Sequence, residues 1–260
     1  MSNGRLYMIP VPIADGEMAQ TLPVSTIELI RSLRCFLVEN AKTARAFLKL
    51  ADHPGPIADL TIIEIGHRPD PALLSTFIRP LKEGKDVGIL SEAGCPGIAD
   101  PGAQVAALAQ REGIRVVPMV GPCSMILALM ASGLDGQHFR FSGYVPIKEP
   151  QRTQAIAELE RLSSRGEGET QLFIETPYRN TGLLRDLVKN CHPSTRILVA
   201  SDITGKDESI RTQTASQWAK ENPELPKLPT IFGLLALEQR GGIRKSPPKS
   251  FHANKTRKAR

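Results

Sequence analysis

Apolar residues along this chain fall into short runs of strand length, separated by segments in which they recur every three or four positions. "RLYMIPVP" (5–12), "RCFLVE" (34–39), "LTIIEIG" (60–66), "DVGILS" (86–91) and "IRVVPMVG" (114–121) predict five strands. The segments 25–34, 41–51, 70–84 and 102–113 between them predict helices, with Ser25 and Asp70 as N-caps and Gly84 and Gly113 as C-terminal stops. Strands that alternate with helices imply βαβ units and a parallel sheet covered by helices on both faces.

The second half repeats this grammar with a different ending. "SMILALMASGL" (124–134) reads as a short, unusually apolar helix. Strands are expected at 139–146, 170–177 and 196–203, and helices at 149–166 and 179–191. Beyond 203 the helical pattern nearly stops, and 209–215 and 230–238 predict an antiparallel finish. The expected fold is α/β with two lobes, 1–120 and 121–239, a boundary near 118–123 and a cleft between them.

Glycine and proline crowd the strand ends. "PVPIADG" (10–16), "SEAGCPGIADPG" (91–102), "PMVGPCS" (118–124), "IETPYRN" (174–180) and "ASDITGK" (200–206) each follow a predicted strand. Ligands of parallel α/β sheets bind beyond the carboxyl ends of the strands, where such loops converge. One such loop is often only a tight turn, but five in succession point to a small-molecule site. The chain has no G-x-G-x-x-G after its first strand, no P-loop and no G-x-S-x-G, which argues against dinucleotide, NTPase and hydrolase chemistry. No His/Cys/carboxylate spacing suits a metal, and none is expected.

Charge matters mainly at the C-terminus. The formal net charge is +6, yet residues 240–260 hold eight Lys/Arg and no acid, so 25 basic residues face 27 acidic ones in the rest. The tail reads as unfolded, able to hold phosphates or merely solvated. Cys35, Cys95, Cys123 and Cys191 show no paired motif and read as reduced thiols, with Cys95 and Cys123 as pocket linings. No apolar run is long enough to span a bilayer and the N-terminus lacks a signal peptide's pattern, so a cytoplasmic protein without a membrane partner is expected.

"LYMIPVPI", "SEAGCPGIADPG", "VVPMVGPCS" and "LFIETPYR", in this order and spacing, resemble the tetrapyrrole-methylase superfamily of S-adenosylmethionine-dependent methyltransferases. Within it the chain looks most like the branch that methylates ribose 2′-oxygens in small-subunit ribosomal RNA. The resemblance spans roughly residues 5–238 and implies two α/β lobes, S-adenosylmethionine folded into the interlobe cleft, and a homodimer. It implies cofactor contacts at Pro12, Leu90, Ser91, Ala93, Gly94, Cys95, Ile98, Ala99, Gly121, Pro122, Cys123, Ser124, Ile174, Ala200 and Gly233. The acceptor would be ribosomal RNA or the small subunit itself.

Departures from the branch pattern fall mostly on the substrate side. Glu92 stands where the branch has Asp, and Cys95 where it has Thr. Its E-D-T-R signature after the second strand reads "ENAKT" here, keeping Glu39 and substituting Lys42 for Arg. Its H-R element after E-x-P reads "YRN", keeping Arg179. Lys42 and Arg179 are the expected substrate contacts, each balanced by a plain reading as a surface ion pair or helix anchor.

A ribose hydroxyl needs a proton acceptor as it is methylated, and Glu39, Glu92 and Asp100 are the candidate catalytic residues. Each also has a bland reading: an ion pair for Glu39, a loop cap for Glu92, a helix cap for Asp100. His67, a lone histidine after the third strand, reads as structural. Tyr144 and Tyr178, in predicted loops, read either as packing or as base-stacking platforms. Two other functions stay open: C-methylation of a corrin-type macrocycle, whose enzymes show a G-D-P loop where this chain has "SEAGCP", and a cofactor- or RNA-binding module without turnover.

Overall fold

The computed structural model describes residues 2–165 and 168–236. The basic segment 240–260 and its expected RNA contact lie outside the described residues. Five short strands form the first sheet: β1 (Leu6–Ile9), β2 (Cys35–Val38), β3 (Thr61–Glu64), β4 (Val87–Leu90) and β5 (Val116–Pro118). Their order is β3-β2-β4-β1-β5, with every pairing parallel. Central strands β2 and β4 are buried at all four positions, which is why their sequences show no alternation.

The helices of this half are α1 (Val24–Ser32), α2 (Ala41–Leu50), α3 (Leu74–Phe77), α4 (Arg79–Lys82) and α5 (Ala103–Arg111). Ile30, Leu33, Ala44 and Leu48 pack with Phe36 and Val38 in one core. Phe77, Ile78, Leu81, Val105 and Ala109 pack with Leu37, Val87 and Ile89 in another.

Two expectations need correction here. Ser25 does not cap α1: the helix starts at Val24, with Pro23 in the N-cap position and the Thr26 N–H bonded to its carbonyl at 3.0 Å. The single helix expected over 70–84 is a broken series. Asp70 caps a 3-10 turn over Pro71–Leu73, accepting from Ala72 N–H at 2.9 Å, and α4 restarts around Pro80, which has no N–H to continue α3.

The second sheet holds β6 (Phe139–Tyr144), β7 (Thr170–Glu175), β8 (Arg196–Ser201), β9 (Ser209–Thr214) and β10 (Thr230–Leu235) in the order β6-β7-β10-β8-β9. β6 and β7 are parallel; β10 runs antiparallel to β7 and β8, and β9 antiparallel to β8. The antiparallel finish is thus present. Its helices are α6 (Ser124–Ser132), α7 (Gln151–Ser163), α8 (Asn180–Asn190) and α9 (Ala215–Glu221).

The sequence pattern missed α9. Thr214 and Gln217 form a capping box at its start, and Trp218 is buried with its indole N–H donating to the Ile197 carbonyl at 2.9 Å. α7, α8 and α9 bury Ile156, Leu183, Leu187 and Trp218 against Phe173, Val199 and Phe232. On the other face α6 sets Met125, Ala128 and Leu129 against Leu172, Leu198, Ala200 and Ile231.

Candidate functional site

All five strands of the first sheet deliver loops to one edge, because parallel strands end together. Three of these loops are tied to one another. Val11 N–H donates to the Gly94 carbonyl at 2.9 Å and Gly94 N–H to the Val11 carbonyl at 3.1 Å, joining the β1 and β4 loops. The Cys95 thiol donates to the Pro122 carbonyl at 3.3 Å, adding the β5 loop. Gly121 lies so close to Pro10 that a Cβ there would sit 2.4 Å from the proline ring.

The β4 loop owes its shape to left-handed backbone. Gly94 has φ +70°, and Ala99, a non-glycine, has φ +63°. A Cβ on Gly94 would also meet Ile13 Cγ2 at 3.3 Å. Peptide groups in such a loop are not spent on helix or sheet hydrogen bonds, so a ligand can use them.

A cavity of about 520 Å³ opens against these loops. Its walls come from Val11–Gly16, from α2 at Thr43, Ala44, Ala46, Phe47 and Leu50, and from Leu90–Ala93. Asp202, Leu228 and Pro229 close it from the second half of the chain. Of the residues expected at the cofactor, Pro12, Leu90, Ser91 and Ala93 line this cavity. Gly94, Cys95, Gly121 and Pro122 lie in the tied loops beside it, and Ile98 and Ala99 are exposed on the β4 loop.

Cys123 stands at the N-cap of α6 and Ser124 begins that helix. Cys123 and Ile174 are packed against the core that contains the fully buried Ala200. Gly233 sits inside the second sheet, where an added Cβ would meet Leu172 at 3.0 Å and Leu198 at 3.3 Å.

The three candidate carboxylates form one cluster. Glu39 follows β2, and its N–H donates to the Leu90 carbonyl at 3.2 Å, placing it beside the β4 loop. Its Oε2 accepts from the Glu92 N–H at 3.4 Å, and its Oε1 accepts from His67 Nδ1 at 2.9 Å. Glu92 Oε1 accepts the Thr43 hydroxyl at 2.7 Å.

Asp100 is only partly exposed, and burial together with the neighbouring Glu39 pushes its carboxyl up to about 6, against the opposing pull of His67 and the nearby Ser91 hydroxyl. A region this rich in carboxylate is suited to a cation. Cys95, by contrast, is pushed up to about 11 by burial and the adjacent Cys123, so it stays a protonated thiol and not a nucleophile.

The departure "ENAKT" keeps part of the local structure. Asn40 caps α2, accepting from Lys42 N–H at 2.9 Å and Thr43 N–H at 3.2 Å, work that an Asp does equally well. Lys42 is exposed and has no carboxylate partner among the described residues.

Arg179 is differently placed. Its Nε and one terminal nitrogen donate to Glu175 Oε1 at 3.0 and 2.8 Å, while Arg152 donates to Glu175 Oε2 at 3.1 Å and also binds Asp186. Burial pushes Glu175 up, but Arg179, the Thr176 N–H and Arg152 outweigh it and hold the carboxyl below its usual range. Arg179 thus pins the "ETPYR" corner and leaves only part of its guanidinium to solvent.

Thr43, His67 and the Asp202/Leu228/Pro229 wall were not singled out as site residues from sequence. Asp202 lay within the flagged "ASDITGK" loop and Thr43 within "ENAKT", and His67 had a signal in the strand pairing. β2 and β3 pair in parallel with Val38 opposite Glu64, so residues just past them are neighbours. Among the described residues no group of three or more His, Cys, Asp or Glu is arranged to hold a metal, and no helix is long and apolar enough to cross a membrane.

The family model for tetrapyrrole (corrin/porphyrin) methylases matches residues 5–219. The ribosomal RNA small subunit methyltransferase I of Escherichia coli O157:H7 is 30% identical over 224 residues, covering 85% of this chain and 74% of that protein. The protein of the same name from Pseudomonas aeruginosa is 31% identical over 212 residues, covering 82% and 71%.

Among solved structures, the methyltransferase CobJ superposes with a TM-score of 0.57 at 16% identity, over 94% of this chain and 98% of its own. Uroporphyrin-III C-methyl transferase from Thermus thermophilus, complexed with S-adenyl homocysteine, gives 0.54 at 16% identity, over 89% and 97%. At that identity the structural likenesses speak for the fold.

Proposed function

This chain belongs to the tetrapyrrole (corrin/porphyrin) methylase family and is a methyltransferase that uses S-adenosylmethionine; from that premise we propose that its acceptor is a ribose 2′-hydroxyl of small-subunit ribosomal RNA. The observation that carries this reading is the convergence of Glu39, Glu92 and Asp100 beside a cavity closed by both halves of the chain. The names of the relatives point to small-subunit ribosomal RNA as the molecule methylated.

The residues present fit the cofactor. The tied β1, β4 and β5 loops offer backbone donors and acceptors for a nucleoside and an amino-acid tail, and the carboxylate cluster suits a positively charged sulfonium. Pro12, Leu90, Ser91, Ala93, Gly94 and Cys123 would hold it. When bound, the cofactor supplies an electrophilic methyl group. The chain's own residues orient the acceptor, exclude water and receive its proton, and orientation alone is worth several kcal/mol of barrier.

Among the described residues the cavity bears Asp15, Glu92 and Asp202 and no Lys or Arg. A macrocycle carrying several carboxylates would be repelled there, which favours a neutral ribose over the C-methylation reading. Cations for phosphates stand outside the cavity, at Lys42 and Arg45 on α2 and at Arg68. The eight basic residues of 240–260 supply further positive charge for phosphates. Arg179 contributes through its remaining exposed N–H groups.

The working form is a homodimer in the cytoplasm. α6 is apolar nearly all round, with Ile126 48% and Met130 75% exposed one turn apart. Transfer of labelled methyl to small subunits from cells lacking this protein tests the acceptor. Label on a ribose oxygen supports it, and label on a base or a small molecule overturns it.

A further inference from the structure

The three carboxylates do not share one role. Both oxygens of Glu39 are engaged, one by the Glu92 N–H and one by His67. Glu92 is held by the Thr43 hydroxyl. An ionised carboxylate can only accept hydrogen bonds, so in the neutral imidazole the His67 proton sits on Nδ1, and the lone pair is left on Nε2. That nitrogen has no partner among the described residues, and the side chain is 71% exposed, whereas Glu39 is 13% exposed. A base whose far nitrogen is free, and whose near nitrogen is fixed by a largely shielded carboxylate, has the arrangement that orients a histidine for proton removal.

We propose that His67, oriented by Glu39, takes the proton from the acceptor hydroxyl; the inference rests on the methyl-transfer reading above. In the step, a lone pair of the acceptor oxygen forms the new O–CH₃ bond. The S–CH₃ bond of S-adenosylmethionine breaks, its electron pair returns to sulfur, and the sulfonium becomes a neutral thioether. The hydroxyl proton passes to Nε2 of His67, and the resulting imidazolium is paired with the Glu39 carboxylate. Glu39 is then a positioning residue, and Asp100 contributes negative potential near the cation.

His67 is exposed at the surface, so replacing it does not threaten the core. The test compares wild type, H67A, H67Q and E39A in single-turnover methyl transfer to small subunits lacking the modification. Added imidazole serves as the probe of the missing base. H67A is expected to lose 100-fold or more in rate and to recover at least tenfold with imidazole; E39A is expected to lose about tenfold without rescue. Calorimetry is expected to give H67A wild-type affinity for S-adenosylmethionine, which separates a missing base from lost binding.

Independently of activity, ¹⁵N spectra of the protein alone are expected to show neutral His67 as the Nδ1–H tautomer in wild type and as a tautomer mixture in E39A. H67A activity within threefold of wild type overturns the inference, as does a loss that imidazole leaves untouched. A wild-type protein that transfers no methyl to RNA removes the underlying reading and this inference with it. A wild type that is active beside an equally active H67A removes the inference alone.

Discussion

Val11 and Gly94 exchange both of their backbone hydrogen bonds, at 2.9 and 3.1 Å, and this single antiparallel bridge fastens the β1 loop to the β4 loop. It forms only because Gly94 can hold φ +70° with Ile13 packed at the space a side chain would fill. Gly94→Val adds a β-branched side chain at a positive φ, a strain of about 1–3 kcal/mol, and pushes on Ile13. The expected result is a loss of at least about 100-fold in S-adenosylmethionine affinity by calorimetry, with the fold retained by circular dichroism. Unchanged affinity would show that the tied loops do not form the cofactor cradle.

Asp100 gives the site a pH signature. Its folded carboxyl titrates at about 6, above the ordinary 3.8, so over that interval the folded state binds more protons than the unfolded state. This group's contribution to stability therefore falls as pH rises from about 4 to 6, and its penalty is fully present above that. D100N is expected to raise stability at pH 7 by on the order of 1 kcal/mol, allowing for solvent screening of a partly exposed group. Denaturant midpoints at pH 4.5 and 7 check this. No gain at pH 7 would contradict it.

The same carboxylate separates cofactor from product. Affinity for the positively charged S-adenosylmethionine is expected to rise several-fold between pH 5 and 7. S-adenosylhomocysteine, which has lost the sulfonium charge, is expected to change little. In D100N the two ligands lose this difference. Parallel pH profiles for both ligands in wild type would place Asp100 away from the sulfur.

Glu175 is the hub of a buried charge network, with a fully buried side chain between Arg152 and Arg179. E175A leaves Arg152 at 7% exposure with one partner fewer, and a loss of about 3 kcal/mol is expected in chemical denaturation. R179A is expected to cost less, because Arg152 still neutralises Glu175. If R179A also weakens RNA binding, the salt slope of log K is expected to flatten by about one unit. A slope unchanged in R179A would leave Arg179 with its structural role alone.

The exposed face of α6 predicts the assembly. I126D with M130D is expected to turn a dimer into a monomer in light scattering while leaving the thermal transition within a few degrees. A wild-type monomer at micromolar concentration would contradict the proposed interface.

How much of this was legible in the sequence depended on whether neighbours in space were also marked in the chain. β2 and β4 were readable because strands buried on both faces must be apolar throughout. Glu39, Glu92 and Asp100 could be nominated because each is a carboxylate in a loop past a predicted strand; that β2 and β4 are neighbours in the sheet was not readable. The bonds among them were not readable, since Thr43 meets Glu92 across 49 positions and His67 meets Glu39 across 28.

Other misses had visible signals. Thr214 followed by Gln217 is a capping box, yet α9 is short, and its single large apolar anchor, Trp218, does not make a periodic pattern. Pro80 broke the expected 70–84 helix in the way its missing N–H requires. Arg179 was expected at the substrate from the family's E-x-P and H-R elements, with a helix anchor as the plain alternative; its bonds to Glu175, four residues earlier, are what the sequence did not show.

Transfer of ³H-methyl from S-adenosylmethionine to small ribosomal subunits from cells lacking this protein, followed by nucleoside analysis, decides whether the acceptor is a ribose oxygen. Label is expected in one 2′-O-methylated nucleoside and is lost with Gly94→Val. Tight cofactor binding with no label in RNA would contradict it and direct attention to another acceptor.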